Sequence, residues 1–303
     1  MANLKAIRKR ISSVKSTQKI TRAQKMVAGA RLTRAQHRIQ ALRPYAVKTA
    51  QVLAEVAGQG GDEEAVSENQ HPLLARRAEK TVLLLVITSD RGLCGAFNTN
   101  ILRAATRIWR EREAAGQSVK IVTIGRKGRD YFRRRNAPVL EVLSGVWEKL
   151  DIEQARNIAR KVLTPFVQGQ VDSIYVVYNE FKSAMSQRVV AEPLVPLQKK
   201  DAAPVAENAE GHEWAANPEF LFEPDRKALL ERLVPMYIEV SILRALYESQ
   251  ASELGSRMTA MESATKKAAE MIGKYTLIYN RARQAAITTE LMEIIGGAEA
   301  LRS

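Results

Sequence analysis

Residues 251–295 read ASELGSRMTAMESATKKAAEMIGKYTLIYNRARQAAITTELMEII, and this stretch decides the fold. The wider segment 236–295 contains no proline and only two glycines, Gly255 and Gly273, which predicts one long helix. Its apolar or small residues recur alternately three and four positions apart, a spacing that predicts a left-handed coiled coil. The predicted seam consists of Met261, Ala264, Ala268, Met271, Tyr275, Ile278, Ala282, Ala285, Thr289 and Met292, and the Gly296-Gly297 pair is expected near the helix end.

The partner helix is predicted at the other end of the chain, over residues 1–57. About 55 helical residues would span on the order of 80 Å, more than a globular core, so this helix needs a second helix alongside it in an antiparallel coiled coil. Gln18, Thr21 and Lys25 make the middle of its seam polar, so either they set the register or the helices diverge there. The whole seam is Leu4, Ile7, Ile11, Val14, Gln18, Thr21, Lys25, Ala28, Leu32, Ala35, Ile39 and Leu42.

Between the two helices the pattern changes to alternating strands and helices, which predicts a Rossmann-like α/β domain with a mainly parallel sheet. An extended segment at 188–197 contains Pro193 and Pro196 and suits only an edge strand. The expected fold class is therefore α/β, an inserted α/β domain between two coiled-coil helices. We expect a linker at 58–80, the α/β domain at 81–198, a loop at 199–218, the C-terminal helix at 219–303, strands at 81–88, 119–124 and 173–178, and helices at 99–115, 126–136 and 151–168.

The positive charge is concentrated at one end of the chain. The formal net charge is +14, and residues 1–57 contain 13 Lys and Arg against one acid, Glu55. This distribution predicts an acidic partner, which could be nucleic acid, a membrane surface or a protein that encloses the helix. The helix lacks interleaved aromatic residues and, past residue 16, a bulky apolar face, but its composition alone leaves the three alternatives open.

Motifs for catalysis by this chain are missing. There is no G-x-x-x-x-G-K-[ST] and no G-x-G-x-x-G after a strand, and His37, His71 and His212 lie far apart. Cys94 lies in SDRGLCG at 89–95, where a tight turn with a semi-buried thiol is favoured over a nucleophile, because no histidine is near to activate it. We expect no bound cofactor, no metal site and no membrane span, since no apolar run approaches about 18–20 residues.

Three blocks of the sequence carry specific motifs. The first is at 7–15 and 19–28, where the second part reads KITRAQKMVA. The next is TSDRGLCG at 88–95, followed by Asn98 and Asn100. The last lies at 252–265 and at 279–291, which reads YNRARQAAITTEL. Together these blocks resemble the γ subunits of F-type ATP synthases of the bacterial type, and they span almost the whole chain in the order found in that family.

The resemblance implies the central rotor stalk of an F1Fo ATP synthase. The two helices would fill the cavity of a ring of three α and three β subunits, and the α/β domain would lie beside the ε subunit and the membrane ring of c subunits. Rotation of the c ring would drive sequential change at nucleotide sites on the partner subunits. The chain would then be a non-catalytic, peripheral subunit on the cytoplasmic face of the bacterial inner membrane, with no nucleic acid bound. A basic coiled-coil adaptor for nucleic acid is the alternative.

The resemblance also implies contact residues. In the family, a C-terminal segment contacts loops of the α and β subunits. Gln24 stands beside the β-contact region, where the family most often has methionine, and Lys267 replaces a usual asparagine. Charge alone suggests that Lys9, Arg10 and Arg34 face acidic loops of the β subunits. The remaining expected contacts to the α and β subunits are Arg283, Gln284, Thr288, Glu290 and Glu293.

A second contact region is implied near the c ring. The stretch FLFEPD at 220–225 resembles the family's foot, with Phe220 and Glu223 as the candidate contacts to the c ring and ε subunit. Chloroplast relatives carry an inserted cysteine pair for redox control, and with Cys94 alone that switch cannot exist here.

Overall fold

The computed structural model of the chain describes residues 4–58, 71–75, 77–197 and 226–300. It divides into two compact units, one of Met1–Ala30 with Arg257–Ser303 and one of Arg31–Ser256. We call them the two-helix unit and the sheet unit. Two long helices, α1 (Leu4–Gly58) and α5 (Arg226–Ala300), contribute to both. Across the described residues, no helix is long and apolar enough to cross a membrane.

The sheet unit contains a five-stranded sheet in the order β3-β2-β1-β4-β5. The first four strands are parallel to their neighbours, and β5 runs antiparallel to β4. This confirms the predicted α/β fold class with its mainly parallel sheet. The elements are β1 (Thr81–Ile87), α2 (Phe97–Ala114), β2 (Ser118–Ile124), α3 (Arg126–Arg133), β3 (Val139–Leu143), α4 (Ile152–Val167), β4 (Ser173–Phe181) and β5 (Gln187–Val195), preceded by a short 3-10 helix, Pro72–Leu74.

Both faces of the sheet are covered, which explains the continuous apolar run of its central strand. Leu83, Leu85 and Ile87 of β1 belong to a core that includes residues of α1, α4 and α5. The alternate residues Val82 and Leu84 belong to a second core formed with α2 and α3. Because successive strand residues point to opposite faces, a strand buried on both sides must be apolar at every position.

The two edges of the sheet differ in how well the sequence predicted them. The extended segment at 188–197 is confirmed as the edge strand β5, in which Pro193 pairs with Tyr175. Strand β3 was not predicted. It has five residues, follows Pro138, carries Glu141 at its centre and is only partly buried, so its sequence shows neither alternation nor a long apolar run.

Both long helices pass through a proline within the sheet unit. Pro44 lies inside α1 and Pro235 lies inside α5. The neighbouring residues meet, because the Tyr45 hydroxyl donates a hydrogen bond to Met236 Sδ at 3.1 Å. The two prolines therefore lie at the same level of the antiparallel helix pair. Each removes one backbone donor from its helix.

The two-helix unit is an antiparallel coiled coil. The Thr21 and Thr265 hydroxyl oxygens lie 2.8 Å apart, and Lys25 Nζ lies 3.2 Å from Glu262 Oε1. All predicted α1 seam residues of this unit are buried or half-buried, which confirms that frame. These are Leu4, Ile7, Ile11, Val14, Gln18, Thr21, Lys25 and Ala28.

The predicted seam of α5 is confirmed at Met261, Ala268, Tyr275 and Ala282, whereas at Met271, Ile278 and Ala285 it was wrong by one residue. Met271 and Ile278 are more than 40 % exposed, whereas Ile272 and Tyr279 are half-buried. Counting equally along both helices from Thr21–Thr265 places Val14 opposite Ile272. The covered seam is Met261, Thr265, Ala268, Ile272, Tyr275, Tyr279, Ala282 and Ala286. Of the other predicted members, Ala264 is half-buried, and Ala285, Thr289 and Met292 are exposed.

The expected helix end at Gly296-Gly297 was wrong as well. Helix α5 continues through both glycines to Ala300. Glycine weakens a helix interior by about 1 kcal/mol but does not end it without a capping turn. The expected loop at 199–218 lies outside the described residues.

Candidate partner-contact surfaces

The polar seam of the two-helix unit joins the helices instead of separating them. Thr21 is 8 % exposed, and its hydroxyl meets that of Thr265. One turn further along α1, Lys25 pairs with Glu262, which also lies 3.6 Å from Lys266. The hydrogen bond from Lys25 lowers the pKa of Glu262. Since polar partners satisfy each other at one alignment only, these pairs set the register of the coiled coil, the first of the two predicted alternatives.

The end of α5 presents an exposed apolar surface. Equal counting from Thr21–Thr265 places Leu4 opposite about residue 282, so later residues of α5 run beyond the described part of α1. The large side chains there are exposed, including Leu291 at 53 % and Ile294 at 68 %. Contiguous exposed apolar side chains on a described helix indicate a surface that another protein covers. The members are Ile287, Leu291, Met292, Ile294 and Ile295, which we call the apolar end.

The residues of helix α5 that are expected to contact the ring of α and β subunits lie on or beside the apolar end. Arg283, Gln284, Thr288, Glu290 and Glu293 are all exposed. The Thr288 hydroxyl donates to the Gln284 carbonyl at 3.0 Å, a bond inside the helix that leaves both side chains on the surface. The structure therefore brings these five predicted residues together on one helix.

The expected contacts of α1 are divided between the units. Lys9 and Arg10 are exposed in the two-helix unit, where Gln24 is half-buried, whereas Arg34 is exposed in the sheet unit. Within the described part of the chain, Lys9, Arg10 and Arg34 make no ion pair. Uncompensated cations on exposed helix surfaces favour an acidic partner.

The TSDRGLCG motif holds the sheet unit together. Thr88 Oγ1 donates to the Ile124 carbonyl and accepts from Gly128 N, both at 2.8 Å, and the Thr88 carbonyl accepts from Trp147 Nε1 at 3.0 Å. These bonds tie the end of β1 to β2, to α3 and to the segment after β3. The motif therefore serves as a structural joint at the carboxyl edge of the sheet.

The remaining polar residues of this motif make local bonds. Asp90 Oδ1 accepts from Arg126 N at 2.8 Å, at the start of α3. Cys94 is buried, and its Sγ lies 3.2 Å from Asn98 Nδ2. The structure supports the tight turn and not the nucleophile, because the thiol is buried against the Asn98 amide and the Ser89 hydroxyl. Across the described residues, no cluster of His, Cys, Asp and Glu could hold a metal ion.

A charged contact between α5 and the β4–β5 hairpin was not predicted. Arg244 Nη2 lies 2.6 Å from Glu192 Oε2, and Tyr178 donates to Glu192 Oε1 at 3.1 Å. Glu248 lies one turn further along α5 and is half-buried beside the hairpin. Charged residues one turn apart on a helix normally indicate a solvated face, so the sequence carried no signal for this contact.

The predicted foot residues Phe220 and Glu223 lie outside the described residues.

Sequence comparisons match almost the whole chain to ATP synthase gamma chains. The sequence model of the ATP synthase family matches residues 3–301. The ATP synthase gamma chain of Sorangium cellulosum is 57 % identical, with all of both chains covered. The gamma chains of Anaeromyxobacter sp. strain Fw109-5 and Geobacter sp. strain M21 are 48 % and 46 % identical, again with all of both chains covered.

Solved structures share the fold. A chain of the central stalk and c-ring structure of Tetrahymena thermophila mitochondrial ATP synthase is 26 % identical with a TM-score of 0.60, covering 81 % of this chain and 99 % of that one. A chain of the Euglena gracilis mitochondrial ATP synthase is 21 % identical with a TM-score of 0.67, and the match covers 98 % of this chain and 94 % of that one. At 21 % identity, the second match shows only that the two chains share a fold.

Proposed function

This chain belongs to the ATP synthase gamma chain family, and we propose that it acts as the central rotor stalk, which couples rotation of the c ring to ATP synthesis or hydrolysis. The observation that carries this proposal is the apolar end of α5, which extends past the described part of its partner helix. An exposed apolar helix end beside uncompensated cations requires a protein that surrounds it. A stalk inside a ring of subunits meets this requirement.

The partners that the family resemblance implies are assigned to these contact residues as part of the proposal. The α and β subunits would enclose the two-helix unit through Lys9, Arg10, Gln24, Arg283, Gln284, Thr288, Glu290 and Glu293, and Arg34 would contact an acidic β-subunit loop. The ε subunit and the c ring would contact the segment with Phe220 and Glu223. Charge complementarity supports the contacts of α1, and exposure supports those of α5.

The chain itself would carry out no chemistry. Each catalytic subunit of the ring would meet a different face of the stalk, and the nucleotide-site conformation that fits this face would be favoured while it is there. Turning the stalk would then change the three sites in sequence. The subunit would work as a peripheral component at the cytoplasmic face of the bacterial inner membrane, without nucleic acid.

Co-expression with the α and β subunits tests this function. We expect a complex that elutes as one species, contains this chain and hydrolyses ATP. Labelled at the exposed Arg107 of α2 in the sheet unit and observed while ATP is hydrolysed, the chain should rotate. A chain that binds DNA with a steep salt dependence and does not join α and β subunits would instead support the nucleic-acid adaptor.

A further inference from the structure

Helix α5 is docked closely on the β4–β5 hairpin. Ser252 Oγ donates to the Asn179 carbonyl at 3.1 Å, and Ser256 Oγ donates to Gln187 Oε1 at 2.9 Å. At Gly255 a Cβ atom would lie 3.1 Å from Ala184 Cα, so the helix backbone touches the hairpin turn there. The sheet unit therefore holds α5 by its backbone and by short side chains, which leaves little room for sliding.

A half-buried group of charges adjoins this contact. Arg244 of α5 binds Glu192 of β5, and Tyr178 of β4 donates to the same carboxylate. Glu180 of β4 pairs with Lys182 at 2.8 Å and lies 3.5 Å from Arg188. Glu192 and Glu180 thus already have cationic partners when Glu248 enters the group from α5.

Among the described residues of this group, Glu248 is the carboxyl group left without an ion pair. Its Oε2 atom is buried and has no hydrogen-bond partner among the described residues, and the same holds for Arg244 Nε. An ionised Glu248 would add a third carboxylate beside one half-buried guanidinium that Glu192 already engages. The Phe181 backbone hydrogen-bonds the Glu248 carboxylate and favours its charged form, but Oε2 is left without a partner. Burying a charged oxygen in this way is unfavourable, and a proton removes that cost.

The titration of the group agrees with this geometry. Burial raises the pKa of Glu248 to about 7, with Arg244 opposing the shift and Glu180 and Glu192 adding to it. Burial alone would lower the pKa of Arg244, but Tyr178, Glu192 and Glu248 raise it overall, so Arg244 stays charged. Burial also raises the pKa of Tyr178, which stays neutral. Glu248 is therefore the member that changes charge near neutral pH.

We propose that Glu248 and Arg244 are positioning residues that hold α5 on the β4–β5 hairpin in a proton-dependent way, so that the sheet unit drives α5 most firmly when Glu248 is protonated. The docking is a property of the chain itself, and only the transmission of rotation rests on the proposed rotor function. Loss of the proton leaves an unpaired negative charge in the contact and loosens it. The groups that act on Glu248 are Tyr178, Glu180 and the Phe181 backbone of β4, Glu192 of β5 and Arg244 of α5, whereas Lys182 and Arg188 pair with Glu180.

The direction of the effect follows from the two states of Glu248. When the contact opens, the carboxyl group returns to its ordinary pKa of 4.5, whereas the docked group titrates near 7. The docked state binds more protons between these values, so its stabilisation is complete below about pH 4.5 and is lost as the pH rises through about 7.

Hydrogen exchange of the full chain, corrected for intrinsic rates, tests the docking. Between about pH 5.5 and pH 8 we expect protection of the amides in 243–257 and in β4–β5 to fall roughly 30-fold. Glu248→Gln should make this protection independent of pH. Glu270→Gln, which removes an exposed carboxylate of the same helix, should leave the wild-type profile.

A second variant separates proton sensing by Glu248 from simple structural support. Glu192→Gln frees Arg244 to pair with Glu248, which should move the midpoint of the pH dependence of amide protection to lower pH. A wild-type profile without pH dependence, or an unchanged midpoint in Glu192→Gln, would overturn the inference while leaving the rotor function untouched.

In the assembled complex, the ratio of proton transport to ATP hydrolysis should fall as the pH rises in wild type and stay constant in Glu248→Gln. Failure of the wild-type chain to assemble would count against the rotor function alone. An equal pH response of the two complexes would count against the coupling role of Glu248.

Discussion

Gly125 shows how one residue can fix the junction of three elements. It lies between β2 and α3 with φ +92°, and a Cβ atom added to it would lie 2.2 Å from the Thr88 carbonyl oxygen. The same turn brings Gly128 N to Thr88 Oγ1. No side chain fits at Gly125 unless the TSDRGLCG joint shifts.

We therefore expect Gly125→Ala to destabilise the chain by about 3 kcal/mol, through backbone strain and the clash with Thr88. Gly273→Ala is the matched control, because its Cβ atom would meet nothing within 4 Å inside α5 and should stabilise the helix by about 0.5–1 kcal/mol. Urea unfolding of the full chain measures both. Equal effects of the two variants would refute the clash.

The Lys25–Glu262 pair gives a second prediction at this scale. Both side chains are partly exposed, so water screens the pair and its contribution to stability is small. Lys25→Glu should lower the thermal stability of the coiled coil slightly, because two carboxylates then face each other. Adding Glu262→Lys should restore the stability, and a double-mutant cycle at low and high salt measures the coupling. No restoration would mean that the two residues do not set the register together.

At the scale of elements, the sequence predicted both long helices but not the full seam of α5. Met271 and Ile272 are both apolar, as are Ile278 and Tyr279, so periodicity alone could not choose between adjacent frames. The choice comes from Thr21–Thr265, a pair far apart in sequence. The frame of α1 had no such ambiguity, because polar residues flank its apolar positions at Leu4, Ile11 and Val14.

The contact of Arg244 and Glu248 with the β4–β5 hairpin could not be predicted for a similar reason, because it joins segments that are far apart in sequence. The cations of α1 could be proposed as partner contacts from the sequence, because residues 1–57 contain 13 Lys and Arg and one acid. The burial of Glu248 depends on where the β4–β5 hairpin packs, and no local pattern records that.

Truncation after Glu293 tests the apolar end as an element. The described side chains that it removes, from Ile294 to Ala298, are all exposed, so the free energy of unfolding of the full chain should change by less than about 0.5 kcal/mol. Assembly with α and β subunits should weaken without being lost, because most coiled-coil contacts lie earlier. Truncation after Lys274 is the control, and it should destabilise the chain by removing Tyr275 and Tyr279 from the seam. Complete loss of assembly in the shorter truncation would contradict the prediction.

At the scale of the whole molecule, the uneven charge should control how fast the chain meets its partners. The double variant Lys9→Gln/Arg10→Gln should slow association with α and β subunits several-fold at low salt, because steering by charge acts before contact. At about 0.5 M salt the difference should vanish. Arg107→Gln/Arg110→Gln removes two cations that are paired with acids on α2, and it should change the rate little. Equal slowing by both variants would show that only net charge matters.

The two prolines at one level of the helix pair also have a mechanical consequence. Pro44 and Pro235 each remove a backbone hydrogen bond, so both rods lose stiffness at the same height, beside Tyr45 and Met236. A load that would spread evenly along two intact helices concentrates its bending there. Under a bending load, this level of the helix pair should therefore yield before the rest of the two helices.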